Sequence, residues 1–145
     1  MTEAPFLTHV EFRSDLFPPY DGEDAETNPG RYGKRLAEFL VAAVRKAGIA
    51  CKEPIAEDWG WQIKVENEAF AIWIGCGVYE EYENGFLCFI EPTTPTIRKL
   101  FKKIDTRGPV EAVRRAMDAA LKGERGVKDM RWSTHEEFNG PGGSS

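Results

Sequence analysis

Phe6, Thr8, Val10 and Phe12 alternate with Leu7, His9, Glu11 and Arg13, a period of two that predicts a first strand with one buried face. A Pro- and acid-rich loop runs from Ser14 to Thr27, and the spacing then turns helical. Leu36, Leu40, Ala43, Val44 and Ala47 recur at intervals of three and four. Asn28-Pro29 gives this first helix a start signal, because an Asn oxygen accepts an orphan amide and proline suits the first helical position. Gly48 supplies the stop.

Three strands are predicted next. Trp59, Trp61, Ile63 and Val65 share one face of the first, with Gln62, Lys64 and Glu66 on the other. A tight turn at Asn67-Glu68 sets Val65 opposite Phe70, Ile63 opposite Ile72 and Trp61 opposite Ile74, so that apolar meets apolar at each step. The same register sets Gly60 opposite Gly75. Beyond the polar turn Glu80–Gly85, Phe86, Cys88 and Ile90 fall opposite Val78, Cys76 and Ile74. Thr94-Pro95 repeats the cap-plus-proline signal, and Ile97, Leu100, Phe101 and Ile104 form the apolar stripe of a short second helix. Gly108-Pro109 opens a third, with Val110, Val113, Met117, Ala120 and Leu121 inward and Gly123 ending it. Val127–Trp132 reads as an edge strand. The order β-α-β-β-β-α-α-β predicts an α+β two-layer sandwich, a largely antiparallel sheet with helices on one face. Residues 5–133 make one domain, and 134–145, rich in Gly and Ser at its end, a flexible tail.

Composition narrows the function classes. The chain has 145 residues, 41% hydrophobic and 30% charged, which fits a globular domain rather than a disordered one. No apolar run approaches the roughly 18 residues of a membrane span, and the first residues lack the pattern of a secretory signal. Cys51, Cys76 and Cys88 cannot all pair and show no CxxC spacing, which suggests a reducing, cytoplasmic setting. With 19 basic against 24 acidic side chains the net charge is −5, which argues against nucleic acid and anionic membranes as partners.

The second face of the predicted sheet carries the candidate site. Trp73, Leu87 and Phe89 are too apolar for a face merely turned to water, and Gly60, Gly75 and Gly77 remove bulk beside them. The functional reading is a docking surface; the plain readings are cover by the C-terminal segment, by the second helix or by a second copy, or simple shielding of a sheet glycine by Phe89. An acidic and aromatic rim adjoins it: Glu57 and Asp58 at one strand start, with Tyr79, Glu80, Glu81, Tyr82 and Glu83 at the end beside it. Such carboxylates serve solubility in a turn, steer a basic partner, or hold a divalent cation. Trp59 and Trp61 belong with the core on this register. The acids of Asp21, Glu23, Asp24 and Glu26 precede a helix N-terminus, which favours negative charge.

Chemistry-bearing motifs are scarce. Parity puts Cys76 and Cys88 on the core face, Cys51 lies in a loop without a base, and His9 and His135 stand apart without ligand spacing. No catalytic residue, metal ligand set or cofactor motif is assigned. Arg98, Lys99, Lys102 and Lys103 make a charged stripe opposite the apolar one of the second helix, read as a solvated face. Three segments, Asn28-Pro29-Gly30-Arg31-Tyr32-Gly33, Glu57-Asp58-Trp59-Gly60-Trp61 and Gly75-Cys76-Gly77 with Tyr79-Glu80-Glu81-Tyr82, resemble a group of short uncharacterised bacterial proteins. The resemblance spans most of the chain and implies a small bacterial intracellular protein, with no activity and no functional residues attached.

The leading expectation is therefore a non-catalytic interaction module of immunity or adaptor type. It would dock a protein partner through Trp73, Leu87, Phe89 and Tyr79, with Glu57, Asp58, Glu80 and Glu81 at the rim. One alternative is a small-ligand or divalent-metal-dependent hydrolytic protein using Glu57, Asp58 and Glu80. Another is a homodimer that buries the same face.

Overall fold

Parity along the central strands decides the architecture. The computed structural model describes residues 4–79 and 82–139. Its main sheet is built from β1 (Leu7–Ser14), β2 (Ile55–Glu57), β3 (Gly60–Val65), β4 (Ile72–Val78), β5 (Gly85–Glu91) and β8 (Val127–Thr134), in the spatial order β2-β3-β4-β5-β1-β8. Every neighbouring pair is antiparallel. Ile72, Ile74 and Cys76 of β4 and Phe86, Cys88 and Ile90 of β5 are buried on one face, while Trp73, Leu87 and Phe89 lie half-buried on the other. The first face is covered by α1 (Lys34–Lys46) and α2 (Arg107–Lys122). α1 contributes Leu36, Ala37, Leu40, Val41 and Val44, and α2 contributes Val110, Val113, Met117 and Leu121. The fold is the expected α+β sandwich, and the edge strand at the C-terminal side is present as β8.

Four local expectations are corrected. Asn28-Pro29 does not start α1. Arg31 N–H donates to Asn28 O at 2.8 Å with Pro29 and a positive-φ Gly30 between them, which is the sequence preference of a type II turn. The helix begins five residues later, after Gly33. The β3–β4 register is displaced by two: Val65 pairs with Ile72, Ile63 with Ile74 and Trp61 with Cys76. Phe70 stays in the connecting loop, buried, where its carbonyl accepts from Asn67 Nδ2 at 3.1 Å. An even slip leaves every side chain on its own face, so the core survives, but Gly75 now faces Gln62 rather than Gly60.

The expected second helix is instead a separate hairpin, β6 (Thr96–Lys99) and β7 (Lys102–Asp105), with Leu100-Phe101 at its tip. Ile97 and Ile104 would sit about two helical turns apart but pair across the ribbon, both half-buried against the core. Eight residues give a helix little beyond its costly nucleus, whereas Thr96, Ile97 and Ile104 suit a strand. Lastly, the segment expected as tail begins with a short helix, α3 (His135–Asn139), in which Thr134 and Glu137 cap each other reciprocally. The remainder of that segment, and Glu80 and Glu81, lie outside the described residues. Among the described residues no helix is long and apolar enough to cross a membrane.

Candidate functional site

The sheet face away from α1 and α2 is organised around a glycine. Gly75 of β4 pairs with Phe89 of β5, and a Cβ built on Gly75 would lie 2.4 Å from the Phe89 ring, so the ring lies flat over the bare backbone. Trp73 meets Phe89 edge-on at 5.4 Å between centroids. Trp59 packs on both, at 5.9 Å from Trp73 and 5.5 Å from Phe89. Trp59 thus departs from its expected place in the core: it lies in the turn between β2 and β3, ahead of Gly60, whose φ of +153° reorients the chain before β3 begins. Trp61 does sit in the core, as expected. The three rings wall a concavity of about 270 Å³ completed by Arg31, Gly77, Val78 and Leu87.

The three sequence segments of the resemblance meet at this site. A Cβ on Gly33 would come within 2.9 Å of the Cys76 carbonyl oxygen, and one on Gly60 within 2.4 Å of the same atom. Gly77 lies against the Trp59 carbonyl, and Asn28 Nδ2 donates to the Asp58 carbonyl at 3.1 Å. Three backbones therefore close on one peptide group, and no side chain fits between them. Beneath the junction is buried Glu23. Its Oε2 accepts from Gly33 N–H (2.8 Å), Lys34 N–H (2.9 Å) and Trp61 Nε1–H (3.0 Å), and its Oε1 from Tyr20 N–H (3.0 Å). A carboxylate from a distant loop supplies the α1 cap that Gly33 lacks. Among the four acids of that loop the sequence carries no mark that singles out Glu23.

The other predicted residues are distributed as follows. Leu87 and Phe89 line the concavity with Trp73. Glu57 is half-buried and Asp58 exposed beside Trp59. Tyr79 belongs to a neighbouring polar cleft of about 330 Å³ with Glu11, Arg13, Tyr82, Asp129 and Arg131, where the Arg13 guanidinium lies 4.6 Å over the Tyr82 ring. Among the described residues no group of three His, Cys, Asp or Glu side chains is arranged to hold a metal ion. Cys76 and Cys88 face each other at 3.8 Å in the core, and that contact together with burial pushes the Cys88 thiol well up; burial raises Cys51 as well. Neither environment makes a thiolate nucleophile.

His9 and His135, far apart in sequence, are brought together. α3 folds back so that Phe138 stacks on His9 at 4.9 Å, His135 lies 5.5 Å away, and Phe89 stacks on the opposite flank at 5.7 Å. The C-terminal segment thus covers the His9 end of the face. The Thr8 hydroxyl lies 3.0 Å from His9 Nδ1. Burial, and then the charge of His135, hold His9 down to about 4 from its ordinary 6.5. Burial also raises the nearby Glu91 carboxyl, opposed by His135. Because His9 is disfavoured as a cation when folded, its neutral form stabilises the protein above pH 6.5, and that contribution is lost as pH falls toward 4. The loss amounts to at most roughly 3 kcal/mol. Glu91, with its raised pKa, works in the opposite direction as its carboxylate is protonated. Denaturant titrations across this window should show falling stability in the wild type and a flatter profile in His9→Gln; equal slopes would remove His9 as the cause.

No protein-family model, curated protein or solved structure matches the chain.

Proposed function

We propose that the chain is a non-catalytic interaction module that docks a basic protein partner through the open sheet face. The observation that carries this reading is the Trp59–Trp73–Phe89 cluster: three rings packed on one another beside a concavity, with Trp59 still 36% exposed. Aromatic side chains already held by their neighbours lose little freedom on binding, and the exposed part of Trp59 leaves apolar area for a partner to cover. Asp58 and Glu57 at the rim and the net charge of −5 favour a basic partner and a rapid, salt-sensitive encounter.

Trp59→Ala/Trp73→Ala tests the reading without stripping the cover from Gly75. The variant should fold, losing about 1–2 kcal/mol, and partner affinity should fall about 30-fold or more, as for the loss of one strong anchor. Affinity capture from the source cells, quantified for both proteins and repeated at high salt, measures this. Equal capture by wild type and variant overturns the proposal. Light scattering over a dilution series runs alongside: a dimer abolished by the double substitution reassigns the face to self-association.

A further inference from the structure

The β6–β7 hairpin presents an arrangement unlike the rest of the surface. Its two-residue tip is Leu100-Phe101, exposed to 91% and 100%. Leu100 has φ +60°, at the first position of a two-residue loop where glycine or asparagine is the usual choice. Directly below the tip Lys99 pairs with Lys102, and below that Arg98 with Lys103. All four are exposed, and among the described residues none forms an ion pair or a side-chain hydrogen bond. Like charges directly opposite one another weaken a hairpin, and so does a bulky residue in the left-handed region. Two apolar side chains in water add a third cost. Among the described residues no carboxylate pairs with these four cations.

From this we infer that the hairpin docks the chain on an anionic lipid surface, with Leu100 and Phe101 inserted among the acyl chains and the four cations at the headgroups. The alternation of a strand puts Arg98 and Lys103 on one face of the ribbon and Lys99 and Lys102 on the other. A flat protein surface reaches one face of such a ribbon, whereas a bilayer entered by the tip meets both faces with diffuse negative charge. The hairpin base is anchored for such a role. Thr106 N–H donates to the Pro95 carbonyl at 2.9 Å, the Thr106 hydroxyl donates to the Thr94 carbonyl, and Ile97 and Ile104 lock against the core. The acidic remainder of the molecule is repelled by the same surface, so the hairpin leads the approach. The helical expectation hides this arrangement, because it separates the basic residues from Leu100 and Phe101 on opposite sides of a cylinder.

Vesicle flotation of the full chain, with phosphatidylcholine alone and with phosphatidylserine-rich mixtures, tests the inference. Binding is expected only with phosphatidylserine and should weaken as salt is raised. Leu100→Gly/Phe101→Asn places glycine at the positive-φ position of the tip, so the ribbon is kept while binding drops about tenfold or more. Lys99→Gln/Lys102→Gln removes one cross-strand repulsion and should lower binding about 25-fold, near fivefold per charge. Circular dichroism melting establishes that both variants are folded. Absence of wild-type binding to phosphatidylserine vesicles overturns the inference, as does binding that neither variant lowers. Capture by polyglutamate or a single-stranded oligonucleotide without vesicle binding overturns it in favour of a soluble polyanion.

Discussion

Glu23→Ala is expected to destabilise the protein by about 3–5 kcal/mol, lowering the melting midpoint by about 10 °C or more. Truncation orphans the amides of Gly33 and Lys34 at the start of α1, the indole N–H of Trp61, and the Tyr20 amide that Oε1 accepts. Gly33 has no side chain to replace the lost cap, and Glu23 and Trp61 are both buried, so water reaches these donors only if the junction opens. Glu23→Gln provides the graded comparison. One amide oxygen can still serve the three donors around Oε2, while the NH₂ group is turned on the Tyr20 amide, an intermediate loss of about 1–2 kcal/mol. Denaturant unfolding of the three proteins checks the order. Similar stability for wild type and Glu23→Ala would mean that α1 is capped some other way.

Gly60→Ala should cost about 3 kcal/mol or more, for two reasons that act together. Its φ of +153° is a conformation that L side chains seldom adopt, and the added methyl would sit 2.4 Å from the Cys76 carbonyl oxygen and 3.3 Å from the Gly77 Cα. Both neighbours are main chain within the sheet and cannot swing aside. Gly22→Ala separates the two effects: φ is +75° there, but nothing lies within 4 Å of the new atom, so only the conformational penalty of about 1–2 kcal/mol applies. Thermal melts of the pair decide the matter, and equal losses would show that close approach contributes nothing at Gly60.

What could be read from the sequence, and what could not, divides by range. The faces of β4 and β5 follow from alternation alone, and the Cys76–Cys88 and Ile74–Ile90 pairings stand as expected. The stripes of α1 and α2 are likewise local facts of spacing, although Ala47, counted with the first, is the exposed C-cap of α1. Ambiguity begins where a pattern serves two structures. Ile97, Leu100, Phe101 and Ile104 fit one helix face, yet the same residues fit a ribbon with two of them paired and two at the tip. Asn28-Pro29 fits a helix start until Gly30 is counted, when the turn becomes the better account. The placement of Trp59 on the open face depends on a short strand, β2, that ends just before it and on the backbone turn at Gly60. The Glu23 cap and the meeting of His9 with His135 are long-range, joining segments whose sequences carry no sign of each other.

The spatial order of the sheet carries a cost for any chain that is still being made. β1 precedes its two neighbours, β5 and β8, by some distance, and one of them closes the domain. Until residues 127–134 have emerged, Leu7–Ser14 keeps one row of backbone donors and acceptors open to any passing strand. A ribosome stalled ahead of Val127, or a protease cut there, would release a nearly complete sheet with a sticky border.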